Sequence, residues 1–243
     1  MGTRGVERRA YLVGGLLILS GLIHLAILLV SGGAWLGPLS LRKPATFGLS
    51  FGLTLINLVW IASYIDLRDR TRAILVNVFT AACVLETALV SLQAWRGVPS
   101  HFNVETDADR MVAQMLAFGG VALVVVIVAL TVMAFRSRVD GAASMRLAIR
   151  AGLLLLVGAQ VTGALMIARG MRLVFAGNAA AAYATGGAFK PIHAVTMHGI
   201  LVLPVIAWVF SSLSWTEQQR IRAVWLASTA YVALVVAVIA TTL

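Results

Sequence analysis

Long apolar runs alternate along the chain with short segments that carry most of the arginines. A helix needs about 20 predominantly apolar residues to span a bilayer. Seven runs meet this length, and they cover residues 10–31, 45–65, 73–95, 111–135, 147–168, 191–213 and 221–241. The pattern predicts an all-α integral membrane protein, in which a single domain of residues 1–243 contains seven transmembrane helices.

The charges between the runs predict how the helices are oriented. Cytoplasmic segments of membrane proteins carry an excess of Lys and Arg. With the N-terminus inside, the inner segments hold twelve of the nineteen Lys and Arg and the outer segments hold seven. We therefore expect the N-terminus inside and the C-terminus outside, in a multi-pass protein of the plasma (inner) membrane.

Composition agrees with a chain built for lipid. Only 12% of the residues are charged, against about 25% in soluble domains, and the mean hydropathy is +0.96. The net charge of +10 is spread between the apolar runs and forms no nucleic-acid motif, so no nucleic-acid partner is expected. The first run exceeds the apolar part of a signal peptide and no A-x-A site follows it, which favours an uncleaved first span.

A faint internal repeat relates the two ends of the chain. It predicts three-helix units at residues 10–95 and 147–241, joined by the helix at 111–135 in a parallel 3+1+3 arrangement with a site between the halves. The alternative is chance similarity among leucine-rich helices. The matching segments, in chain order, are Gly15–Gly21 with Gly152–Gly158, Lys43-Pro44 with Lys190-Pro191, and Arg70–Arg72 with Arg220–Arg222.

The four histidines and the only acid inside a run all fall on the predicted outer side. His24 in the first span and His198 in the sixth are expected at matching depth, about two turns from the outer ends of their helices. Glu86 lies in the outer half of the third span, His101 in an outer loop and His193 at the mouth of the sixth span. His193 and His198 are five residues apart, so on a helix they are rotated by about 140° and do not share a face.

These positions predict a histidine-lined site for haem or a metal. Two imidazoles on facing helices can supply the axial ligands of haem b, or two ligands to Cu, Fe or Zn. We predict His24 and His198 as that pair, with His193 and His101 as further metal ligands. The only cysteine, Cys83, supports no CxxCH motif, so haem would be held non-covalently. Such a site is typical of membrane redox chemistry, in an oxidoreductase with an electron-transfer partner in the membrane.

Two other functions stay open. The first is binding or transport of an anionic small molecule or a lipid headgroup by polar residues at the outer mouth. The second is an intramembrane metal-dependent hydrolase in which Glu86 is the catalytic general base. A retinal-type receptor is disfavoured, because neither lysine lies within a span. The predicted substrate-binding residues are Arg42, Lys43, Arg96, Asn103, Gln114, Gln160 and Lys190.

Overall fold

A computed structural model describes residues 3–184, 187 and 189–242 of the chain. These residues form eight α-helices and no β-strand. The first and last residues of the predicted domain, 1 and 243, lie outside this description. The helices are α1 (Thr3–Ser31), α2 (Arg42–Tyr64), α3 (Asp69–Trp95), α4 (Asp107–Arg136), α5 (Ala143–Phe175), α6 (Ala179–Ala184), α7 (Phe189–Ser211) and α8 (Glu217–Thr242).

Among the described residues, seven of the helices are long and apolar enough to cross a membrane. They match the seven predicted runs one to one, and α6 is the additional short helix. The ends differ from the prediction, because α1 begins seven residues before residue 10 and α5 continues seven residues beyond 168. Arginine favours helix almost as much as leucine, so the helical backbone continues where the apolar pattern stops.

The helices divide into two compact units, each of which has its own packing. The first unit contains α1, residues 42–60 of α2, α3, residues 107–126 of α4, the end of α5 from residue 168, and α6. The second contains residues 61–67, 127–136 of α4, 143–167 of α5, α7 and α8.

In the first unit, α1 and α2 pack through glycines that bring their backbones together. A Cβ built on Gly48 would lie 2.6 Å from the backbone nitrogen of Gly21, and one built on Gly52 would lie 2.6 Å from the carbonyl oxygen of Gly14. In lipid the hydrophobic effect does not drive helices together, and association depends on van der Waals packing instead. Small residues favour it because they let the two backbones approach closely.

Helices α3 and α4 form the core that positions the polar residues of the first unit. Val90 of α3 packs with Val112 and Leu116 of α4, and Phe47 of α2 packs against this cluster. Val112 and Leu116 are four residues apart and therefore lie on one face of α4. Two polar side chains of α3, Glu86 and Gln93, also contact α4 on either side of this cluster.

The second unit is tied together near the ends of its helices. An isolated antiparallel bridge joins Ile65 to Val139, where the N–H of Asp140 donates to the carbonyl of Tyr64 at 2.7 Å. The carboxylate of Glu217, at the start of α8, accepts a 2.7 Å hydrogen bond from the backbone N–H of Ser144 in the first turn of α5. This contact satisfies one of the N–H groups that a helix start leaves without a partner.

Candidate functional site

His24 is buried in α1 and has a protein partner at each ring nitrogen. The residue is only 7% exposed. Nδ1 lies 2.8 Å from the carbonyl oxygen of Ser20, and Nε2 accepts a hydrogen bond of 3.0 Å from the indole N–H of Trp95 on α3. Because an indole N–H only donates, Nε2 is the acceptor and Nδ1 carries the proton. An iron or metal ion at Nε2 would therefore have to take the place of Trp95.

His193 and His198 of α7 also donate from Nδ1 to backbone carbonyls. Nδ1 of His193 lies 2.8 Å from the carbonyl oxygen of Ala159 on α5, and Nδ1 of His198 lies 2.6 Å from that of Ala194. In the part of the chain that the structure describes, Nε2 of neither histidine has a hydrogen-bond partner. His193 is half-buried and His198 is exposed. The helix is continuous through both residues, which confirms that they lie on different faces.

His24 belongs to the first unit and His198 to the second, so their predicted pairing stays a prediction. Across the described residues, no group of three or more His, Cys, Asp or Glu side chains is arranged to hold a metal ion. The three-ligand zinc site that the hydrolase alternative needs is thus not found among them.

His101, in the loop between α3 and α4, is arranged differently from the other three histidines. Lys43 donates from Nζ to Nδ1 of His101 at 3.2 Å, and the hydroxyl of Ser100 lies 3.1 Å from the same nitrogen. Because an ammonium group only donates, Nδ1 is an acceptor and the proton of the neutral ring lies on Nε2. Burial, and after it the positive charge of Lys43, holds the pKa of His101 well below its ordinary value of 6.5. This tautomer opposes metal ligation by His101.

Glu86 is buried between α3 and α4. The residue is 4% exposed, and its carboxyl group lies so close to α4 that a Cβ on Gly119 would be 2.6 Å from Oε1. Within the described residues, Oε1 has no hydrogen-bond partner. The predicted role of Glu86 as a general base stays a prediction.

The guanidinium group of Arg96 belongs to a polar network at the start of α4. The guanidinium of Arg96 donates to Oδ1 of Asp109 at 2.8 Å and to the side-chain oxygen of Gln93, and Gln93 donates to the same Asp109 oxygen at 2.9 Å. Thr106 donates to the second Asp109 oxygen at 2.7 Å and accepts from the Asp109 N–H at 3.1 Å. The sequence analysis missed this network, although the Thr-x-x-Asp spacing before an apolar run is a capping signal. Arg96 therefore contributes a paired charge at the end of α3.

The remaining predicted substrate-binding residues have different surroundings. Arg42 donates from Nε to the carbonyl of Trp35 at 2.9 Å, and its guanidinium carbon lies 5.9 Å from the centre of the Trp35 ring. Asn103 is fully buried, and its Oδ1 accepts from the N–H of Glu105, while its Nδ2 has no partner among the described residues. Gln114 and Lys190 are exposed, and Gln160 donates to the carbonyl of its own helix at Leu156.

Comparison with known proteins gave no match. Models of protein families, characterised proteins and solved structures were all searched. The function is therefore inferred from the side chains and their geometry.

Proposed function

We propose that the protein is a multi-pass membrane protein that binds haem b or a transition-metal ion through histidine Nε2 atoms for membrane redox chemistry. The supporting observation is the shared geometry of His24, His193 and His198. Each directs Nδ1 to a backbone carbonyl, which leaves the lone pair on Nε2. Histidine ligands of metals almost always donate their other ring N–H to a carbonyl, a carboxylate or water, because that bond fixes the tautomer and the ring orientation.

His198 is the first candidate ligand, since its Nε2 has no partner in the described residues and its side chain is accessible. We propose His24 as the second ligand, in keeping with the pairing predicted from the sequence, and its Nε2 would have to give up the hydrogen bond from Trp95 to hold the cofactor. One or two axial histidines suffice for haem iron. His101 is not included in this proposal, because its Nδ1 accepts from Lys43.

The anion-binding alternative has weaker support. Arg96 is paired with Asp109, and Lys43 already donates to His101. Neither of these two cations is thus an unengaged charge that would select an anion.

We further propose the orientation with the N-terminus inside and the 3+1+3 duplication. The distribution of Lys and Arg supports the orientation. Similar glycine contacts within each unit support the duplication. A Cβ on Gly14 of α1 would lie 3.2 Å from the carbonyl oxygen of Gly52 on α2, and a Cβ on Gly152 of α5 would lie 3.2 Å from the carbonyl oxygen of Gly199 on α7. The predicted repeat aligns α1 with α5 and α2 with α7.

Optical spectroscopy and metal analysis of the purified protein test the function. We expect either a Soret band or a stoichiometric metal ion, with most of it lost in His198→Ala and in His24→Ala. His101→Ala is the matched control and should keep the cofactor. A wild-type protein with neither a Soret band nor bound metal would overturn the proposal, and full occupancy in His24→Ala would refute the predicted pair.

A further inference from the structure

The loop between α1 and α2, residues 32–41, is folded back on the start of α2 by hydrogen bonds. Gly37 has a φ of 117°, which residues with a side chain rarely adopt, so the glycine allows the chain to turn there. The carbonyl oxygen of Trp35 accepts two hydrogen bonds, from the hydroxyl of Ser40 at 3.1 Å and from Nε of Arg42 at 2.9 Å. The hydroxyl of Ser40 accepts in turn from the backbone N–H of Arg42 at 3.1 Å. These bonds give the loop a defined shape.

An open, apolar pocket of about 300 Å³ lies between this loop and the end of α1. Ligand pockets in proteins have volumes of about 300–1,000 Å³, so this one is at the small end of the range. Among its described lining residues, Ser40 alone has a polar side chain, and four are leucines: Leu28, Leu36, Leu39 and Leu41. Leu36 is 73% exposed and Leu39 is 49% exposed. The size and the lining suit part of an alkyl chain.

The guanidinium group of Arg42 is held beside this pocket. Its Nε bonds to the carbonyl of Trp35, which lies in the chain between the lining residues Ala34 and Leu36. The guanidinium carbon is 5.9 Å from the centre of the Trp35 ring, within the range of a cation–π contact. Among the described residues, no carboxylate pairs with Arg42 and no acceptor bonds to its terminal NH2 groups. The charge is thus oriented by Trp35, while its remaining N–H donors are left for another partner.

We propose that this pocket and Arg42 bind an anionic phospholipid of the surrounding bilayer, with an acyl chain against the leucines and the phosphate on the guanidinium. The planar fork of a guanidinium matches the oxygens of a phosphate group. Tryptophans near the ends of membrane spans lie at the level of the lipid headgroups, so Trp35 places Arg42 where the phosphates are. The proposal rests on the membrane location proposed above and does not depend on the haem or metal.

An anionic phospholipid accounts for both parts of the site. A small inorganic anion would pair with Arg42 but would leave the exposed leucines of the pocket in contact with water. An uncharged alkyl compound would cover the leucines but would leave the guanidinium without a counter-charge. Because no carboxylate among the described residues neutralises Arg42, a lipid with a net negative charge is favoured over a zwitterionic one.

Titration of the purified full-length protein in detergent with dioleoyl phosphatidylglycerol and dioleoyl phosphatidylcholine, followed by native mass spectrometry, tests the site. The two lipids have the same acyl chains and differ in net charge. We expect phosphatidylglycerol to bind about tenfold more tightly, which is what one hydrogen bond between charged groups contributes. Arg42→Gln should abolish this preference. Arg110→Gln is the matched control, because the guanidinium of Arg110 already pairs with Asp107, and it should keep the preference.

A second pair of variants tests the pocket. Ala34→Phe adds a ring to the pocket lining and should weaken the binding of both lipids, whereas Ala176→Phe, at an exposed position after α5, should not. His198→Ala should lose the cofactor and keep the lipid preference, so the two proposals can fail separately. Equal affinities of the wild type for the two lipids, an unchanged preference in Arg42→Gln, or equal effects of the two phenylalanines would overturn the lipid site. Tighter binding of oleate than of phosphatidylglycerol would also overturn it, since it would assign the site to fatty acids.

Discussion

Replacing Gly119 by alanine would place a methyl group where the carboxyl of Glu86 now lies. The new Cβ would be 2.6 Å from Oε1, 3.3 Å from Cδ and 3.4 Å from Cγ of that side chain. A contact of 2.6 Å cannot persist, so the carboxyl must move, and Glu86 as a residue is only 4% exposed. Because the displaced oxygen is the far end of a flexible side chain, we expect the low end of the overpacking cost, about 1 kcal/mol in the free energy of unfolding.

Gly120 provides a matched control on the same helix. A Cβ at Gly120 has no heavy atom within 4 Å. Both substitutions gain the same helix propensity, about 0.5–1 kcal/mol for glycine to alanine. The difference in stability between Gly119→Ala and Gly120→Ala therefore isolates the steric cost of moving Glu86, and we expect about 1 kcal/mol.

Unfolding of the two variants in one detergent, followed by circular dichroism against denaturant, measures this difference. A Glu86→Ala background should abolish it, because the carboxyl that the methyl group displaces is then absent. Equal stabilities of the Gly119 and Gly120 variants in the wild-type background would refute the close packing of Glu86 against α4.

Three further predictions concern contacts at other positions. Asp109→Ala should unfold at lower denaturant concentration than Asp107→Ala, because both lose an acid from the first turn of α4 but only Asp109 is buried and hydrogen-bonded to the buried Gln93; equal midpoints would contradict this. Tyr231→Phe removes the 2.7 Å hydrogen bond to the carbonyl of Val195 and should cost about 0.5–1.5 kcal/mol in the free energy of unfolding; an unchanged midpoint would argue that the bond contributes nothing. The lowered pKa of His101 means that the folded state favours the neutral ring. This contribution to the free energy of unfolding is therefore complete above pH 6.5 and is lost as the pH falls below that value. Unfolding curves between about pH 7.5 and 5 measure the loss, which should be absent in His101→Phe.

The architecture was accessible from the sequence because apolar length is a local property. Each predicted run lies within one helix to within two residues, for example 45–65 in Arg42–Tyr64 and 191–213 in Phe189–Ser211. A helix satisfies its own backbone hydrogen bonds, so a long apolar run needs no information from the rest of the chain to become one. The rotation of about 140° between His193 and His198 could be predicted for the same reason, because it depends only on the geometry of one helix.

Only the tertiary structure decided what each of these side chains contacts. Trp95 reaches Nε2 of His24 across 71 positions of sequence, and Lys43 reaches His101 across 58. The apolar pattern cannot predict such contacts, because lipid is as apolar as leucine and the helix faces that pack on one another look like those that face the bilayer. The sequence by itself therefore determined that this chain forms seven long apolar helices and which histidines they carry. The packing of α2, α3 and α4 decided that Lys43 fixes the tautomer of His101 and that Glu86 is buried against Gly119, since both depend on which helix faces meet.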